Sequence, residues 1–329
     1  MSIPKLSLII AVYNIRQYVG ECIESCINQD DVCADDYEII IVNDGSTDDS
    51  AYIVERKIKG VPNARMLTKV NGGLSDARNY GLKNAMGEYI WYIDGDDIIA
   101  TNAVRVILDA IPLQAQVFLI DYFELINGNN IRKQSFSEKR LPGGIFNGCH
   151  MIEREEIPFP PMMAWLQIQK KDFIVDNGLH FLLGIKSEDL EYTSKLFAVA
   201  TKVCHIKNNL YYYRLNREDS IMNKRENDIK WIENLLRIYK SVDEYTFSVR
   251  ASENYRSRVL SVIGTHVIYS LYSQSYYCYK MSNEIVKNSK IDIYNALLSQ
   301  KSIKGLAIFL ISKYTPFFIS HMILGRHEK

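Results

Sequence analysis

The chain has 329 residues, 47% of them apolar and 24% charged, with 39 Lys+Arg balanced by 39 Asp+Glu. That length supports one large or two modest domains with a sizeable core, and the composition is that of an ordinary soluble globular protein. A net charge of zero removes any global pull toward nucleic acid, so no nucleic-acid partner is expected.

The opening MSIPKLSLII has no charged n-region and no cleavage site, so no secretory leader is expected there. LSLIIAVYN (6–14) is a continuous apolar run, as a parallel strand covered on both faces requires. Val19, Cys22, Ile23, Cys26 and Ile27 then recur at helical spacing and form one stripe. Cys22 and Cys26 therefore read as packing residues. The six cysteines include no CxxC and no zinc pattern, and a reducing, cytoplasmic setting is expected. YEIIIVND (37–44) is a second buried strand. GSTDDSAYIVERKIK starts a helix with Ser46 as its N-cap and Asp48 and Asp49 in the first turn. ARMLTK (64–69) is a short third strand. NGGLSDARNYGLKNA opens on glycines and becomes a helix capped by Ser75, and EYIWYID (88–94) is a fourth strand.

This order predicts an α/β fold, an open and mainly parallel sheet with right-handed crossovers. In such sheets ligands bind at the carboxyl ends of the strands. Four polar signals fall there: Tyr13-Asn14, Asp44-Gly45-Ser46, the Asn71–Arg78 loop, and Asp94–Asp97. DGDD after an apolar strand suits Mg2+ or Mn2+, which take oxygen ligands, although alone it reads as well as an acidic capping turn. An Asp at 44 can accept hydrogen bonds from a nucleobase. Paired glycines at a helix start, with Arg78 one turn in, favour an anionic ligand. No GxGxxG follows the first strand and no GxxxxGK[ST] occurs anywhere, which argues against a dinucleotide site and a P-loop. The later SEDLEY (187–192) reads alone as a helix start with Ser187 as its cap.

Taken together, LSLIIAVYN, YEIIIVNDGSTDDS, NGGLSDARNYGLKNAMGEYIWYIDGDD and SEDLEY resemble the inverting nucleotide-sugar glycosyltransferases of the GT-A fold, the large bacterial family that builds surface polysaccharides. The resemblance covers about residues 5–215. It implies a catalytic domain over 1–218, with a donor half at 1–100 and an acceptor half at 101–218, followed by a helical region at 219–329. It implies that Tyr13 lines a uracil pocket where Asp44 holds the base, and that Arg78 lies near the base or diphosphate. Asp94 would approach the ribose or sugar, Asp96 would ligate the metal, and Asp97 would support it. Asp189 would be the general base, with Glu188 beside it on the acceptor side. Trp165 would shape the acceptor site, though a core role fits it nearly as well. Arg214 would aid the diphosphate or pair with an acid, and a lone His205 reads as structural. Ala11 stands where many relatives have Pro, a departure that bears on the shape of the base pocket.

The implied reaction moves a hexose or N-acetylhexosamine from a UDP-sugar to a lipid-linked or oligosaccharide acceptor, in O-antigen or capsule synthesis, and leaves a β linkage. A non-catalytic nucleotide-sugar or glycan-binding module is the alternative. A nucleotidyltransferase would need a Gly-rich basic loop where AVYNIRQY stands. From Asp219 onward the pattern is helical and basic: residues 201–329 hold 20 Lys+Arg against 11 Asp+Glu. Within it, 305–325 carries Lys313 at its centre and then Pro316, which excludes a clean spanning helix. Two readings stay open for this end. One is an in-plane helix on the inner membrane face, with Lys301, Lys304, Lys313 and Arg326 near headgroups. The other is a core or homo-oligomer helix.

Overall fold

The computed structural model describes residues 3–126, 130–134, 144–153, 163–215, 228–273, 276–293 and 308. The first half alternates as expected: β1 (Leu6–Val12), α1 (Val19–Ile27), β2 (Tyr37–Asn43), α2 (Ser50–Ile58), β3 (Ala64–Thr68), α3 (Leu74–Asn84) and β4 (Tyr89–Asp94). Then come β5 (Ile98–Ile99), α4 (Ala103–Ala110), β6 (Val117–Ile126), β7 (Asn130–Gln134), β8 (Ile145–Phe146), α5 (Gly148–Glu153), β9 (Gln167–Lys170), α6 (Lys171–Asp176), α7 (Glu188–Val199) and β10 (Val203–Arg214). Three helices close the described chain: α8 (Asp228–Ser248), α9 (Glu253–Ser273) and α10 (Tyr276–Asn288).

One mixed, mainly parallel sheet runs in the order β3-β2-β1-β4-β9-β6-β10-β5, with β7 beside β6 and β8 beside β10. The pairs β1–β2, β1–β4, β2–β3 and β6–β10 are parallel. The short β9 runs antiparallel to both β4 and β6 and stitches the two halves together. Alternate side chains on the strands feed two cores, as the pleat requires. Leu8, Ile10, Ile39, Ile41, Trp91 and Ile93 pack with α1 and α4 on one face. Ile9, Ile40, Val42, Ile90 and Tyr92 pack on the other with α7, α8 and α9.

Two capping expectations are corrected. α2 begins at Ser50 with Asp49 at its cap, because Ser46 is committed elsewhere: its N–H donates to Asn43 Oδ1 and its hydroxyl accepts the Asn14 N–H. α3 begins at Leu74, with Gly73 at its cap and Ser75 inside the helix. Gly73 has φ 87°, which glycine adopts without strain. Among the described residues no helix is long and apolar enough to cross a membrane. The 305–325 stretch, with Lys301, Lys304 and Arg326 beside it, lies outside the described residues apart from Ile308.

Candidate active site

β4 ends at the sheet's carboxyl edge, and its last residue, Asp94, opens the acidic turn. The Asp97 N–H closes on the Asp94 carbonyl at 3.0 Å. Gly95 is required there, since a Cβ would stand 2.7 Å from the Ala11 carbonyl oxygen and 2.6 Å from Ile15 Cδ1. One carboxylate oxygen from each of Asp94, Asp96 and Asp97 lies within 4.8 Å of the others. Asp97 faces inward and is buried. Its Oδ2 accepts the Tyr211 hydroxyl at 2.7 Å and its Oδ1 the Arg214 N–H at 2.8 Å. Burial, followed by the charges of Asp96 and Asp94, pushes the Asp97 carboxyl well above the usual range. Tyr211 also receives the Asp94 N–H at 3.2 Å, so a single phenol supports both ends of the turn. Arg214 donates Nε to the Asp96 carbonyl and Nη2 to Glu21, and lies over the Tyr18 ring. Asp94 and Asp96 are the members of the turn left partly exposed. With the turn's backbone held this way, the donor set fits a hard divalent cation, which needs only one or two carboxylates when a diphosphate supplies the rest.

Arg78 stands at the centre of the site. Gly81 lets α3 sit close on β1 and β2, since a side chain there would collide with Ile9. The guanidinium of Arg78, 2% exposed, donates to Asp94 Oδ1 at 2.8 Å, Glu188 Oε1 at 2.9 Å and Asp189 Oδ1 at 2.8 Å. It also packs over Phe181, 5.0 Å from the ring centroid. Burial disfavours its charge, but Asp189, Asp94 and Glu188 outweigh that and raise its pKa above the usual guanidinium range. Arg78 was expected near the base or diphosphate; its observed bonds join the end of β4 to the start of α7. Glu188 and Asp189 open that helix after Ser187, which has φ 57°. Ser187 occupies the cap position expected of it, but its side chain makes no cap bond. Asp189 Oδ2 accepts the Ala164 N–H at 3.2 Å, and the side chain stays 21% exposed. Burial lifts the Asp189 carboxyl most; Glu188 and Asp94 add to the rise, Arg78 and the Ala164 N–H oppose it, and the result is about 7.

Asp44 lies at the end of β2, buried, beneath the glycine loop. Its carboxylate accepts Lys69 Nζ at 2.7 Å, the Gly72 N–H at 2.9 Å, the Gly73 N–H at 2.7 Å and Asn71 Nδ2 at 3.1 Å. It organises this loop rather than standing open. Tyr13, 47% exposed, projects at the mouth of the same edge. Asn14, at φ 52°, accepts the Thr47 and Asp48 N–H groups and ties the first loop to the second.

Trp165 does not offer a ring to a sugar. It is 2% exposed and stacks on Tyr211 and Tyr213, with centroids 4.3 and 5.3 Å away. The apolar signal there was that of core. His205 pairs with Asp121 at 3.1 Å inside the sheet, away from the acidic turn. Lys69 and Tyr211 are site-building residues that sequence reasoning missed. Neither carries a motif, and each acts on a carboxylate distant in the chain.

The family model described as Glycosyl transferase family 2 matches residues 7–174. Glycosyltransferase GlyA of Streptococcus pneumoniae is 30% identical over 221 residues, 65% of this chain but only 31% of GlyA. Glycosyltransferase GlyG of the same species is 27% identical over 251 residues, 71% of this chain and 78% of GlyG. Residues 1–349 of Staphylococcus aureus TarS, solved in complex with UDP-GlcNAc, superpose with a TM-score of 0.67 at 19% identity, covering 98% of this chain and 89% of that one. The fold is GT-A, and the chain belongs to glycosyl transferase family 2.

Proposed function

We propose that the chain is an inverting, metal-dependent transferase that moves a hexose or N-acetylhexosamine from a UDP-sugar. The observation that carries this reading is the Arg78 junction, which brings the acidic turn and the Glu188-Asp189 pair within single hydrogen bonds of one guanidinium. A glycosyl transfer needs a leaving-group side and an acceptor side facing one carbon, and this junction supports that layout. The UDP-GlcNAc bound to the TarS neighbour supports a UDP-sugar donor.

Asp189 takes the proton of the acceptor hydroxyl. A carboxyl lifted to about 7 is a far stronger base than an ordinary aspartate, and it titrates where a neutral-pH reaction needs it. Glu188 shares Arg78 with it and lines the acceptor side. Asp96, with Asp94, would hold Mn2+ or Mg2+, which when bound neutralises charge on the departing diphosphate. Tyr13 borders the base pocket, and Asp44 sets its floor through the Asn71–Gly73 amides. Attack from the face opposite the diphosphate turns an α-linked donor into a β-linked product. The acceptor proposed is a lipid-linked glycan or oligosaccharide of bacterial surface polysaccharide. The enzyme would meet it at the cytoplasmic membrane face, through the basic 219–329 region.

The test is UDP release from UDP-glucose, UDP-galactose, UDP-GlcNAc and UDP-GalNAc with Mn2+, using a GlcNAc-diphosphate-lipid analogue as acceptor. Asp189→Asn is expected to keep UDP binding and lose turnover by about 100-fold or more. Asp96→Ala is expected to lose metal-dependent donor binding. Wild-type turnover in Asp189→Asn would remove the base assignment. No UDP release from any donor would favour a binding module instead.

A further inference from the structure

The family model ends at residue 174, well before α8. Yet α8 grips both sides of Asp189. Ahead of it, Arg237 donates Nη1 to the Gly184 carbonyl at 2.7 Å and Nη2 to the Leu183 carbonyl at 3.0 Å. Behind it, Ser241 donates its hydroxyl at 2.6 Å to Oε1 of Glu191, which also pairs with Lys195. Arg237 and Ser241 are four residues apart, so they lie on one helix face.

The loop they bracket also packs Ile185 against the core. Gly184 and Ser187 both adopt positive φ, 65° and 57°. At its base, Asn79 exchanges two hydrogen bonds with the Phe181 backbone at 2.8 and 2.9 Å. Between Phe181 and Asp189 the chain is therefore pinned by α3 at one end, by Arg78 at the other, and by Arg237 in the middle. Arg237 itself is exposed and fills no core position. Its two donors in a rigid fork match two successive carbonyls, a geometry lysine cannot copy.

We infer that Arg237 is a positioning residue: it latches the 181–187 loop and thereby sets the place of Asp189 against Arg78. This rests on the reading of Asp189 as the base. Small displacements of a reacting group are costly, up to about 100-fold for about 1 Å, so a loosened loop lowers turnover without touching the donor side.

The test compares Arg237→Ala, Arg237→Lys and wild type as full chains. Deuterium uptake in peptides covering 178–190 is expected to rise in Arg237→Ala and less in Arg237→Lys, with β4 and α3 unchanged. Turnover, read as UDP release with the best donor of the panel, is expected to fall about 10- to 100-fold at unchanged donor KM, with Arg237→Lys in between. On an Asp189→Asn background the Arg237→Ala change should cost nothing further, because the loss runs through Asp189. Unchanged uptake in 178–190, or uptake rising equally across the domain with a lowered melting temperature, would overturn the latch. Should Asp189→Asn turn over like wild type, the base assignment falls, and loop uptake alone decides whether the latch exists.

Discussion

At the scale of single residues, Asp189 holds the most consequential environment in the molecule. An unfolded aspartate ionises near about pH 4, whereas Asp189 in the fold does so at about 7. Between those values the folded chain binds the extra proton. The stability this contributes is complete below about pH 4 and is lost as pH climbs through about 7. Asn at 189 abolishes the titration. Asp189→Asn is therefore expected to gain on wild type from about pH 5 to about pH 8, by a few degrees in melting temperature. Calorimetry at the two pH values checks this; a difference independent of pH would contradict the raised pKa. Asp94, Asp96 and Asp97 stood out in the sequence because they follow a buried strand at the sheet's carboxyl edge, whereas Glu188 and Asp189, which alone read as a helix start, were singled out by the family resemblance. That Arg78 joins Asp94 to Glu188 and Asp189 was not legible, since it lies 110 and 111 positions from the last two. Trp165 misled because an aromatic under a sheet and an aromatic under a sugar have the same local pattern.

At the scale of elements, β1, β2, β4 and α1 follow from runs and stripes in the sequence, because each buries apolar residues along its length. The short β5, β8 and β9 did not. Two to four residues carry no period, and they exist only because a neighbour offers a ladder. Caps were misjudged where a loop had a stronger claim on the capping side chain, as Ser46 illustrates. The β4 turn shows how tightly one element edge can be drawn. Gly95→Ala would force its Cβ against the Ala11 carbonyl. The cost expected is about 1–3 kcal/mol, with Mn2+ binding weakened about 10-fold. Urea unfolding and a Mn2+ titration followed by electron paramagnetic resonance measure the two separately.

At the scale of the whole molecule, the helices beyond residue 218 share their core with the sheet. Ile232, Ile238 and Val242 of α8, and Val259, Ile263 and Val267 of α9, are fully buried in one cluster with Ile9, Tyr92 and Phe181. Each such side chain contributes about 1.5–3 kcal/mol, against a total stability of about 5–15 kcal/mol for a typical domain. A fragment ending at residue 218 is thus expected to be insoluble or unfolded, as circular dichroism of the purified fragment would show. A cooperative melt would instead mark 1–218 as self-sufficient. The same packing gives the molecule an optical signature. Trp165 stacks on Tyr211, Trp91 lies 6.3 Å from the same ring, and the Tyr211 hydroxyl holds Asp97. Any rearrangement of the acidic turn on cation binding is therefore transmitted to two indoles. Mn2+ with UDP is expected to change the intrinsic fluorescence. Trp165→Phe should remove much of that change, while Trp231→Phe, which alters a helix remote from the turn, should leave it. The stack that keeps Trp165 from touching a sugar makes it a built-in reporter of the site.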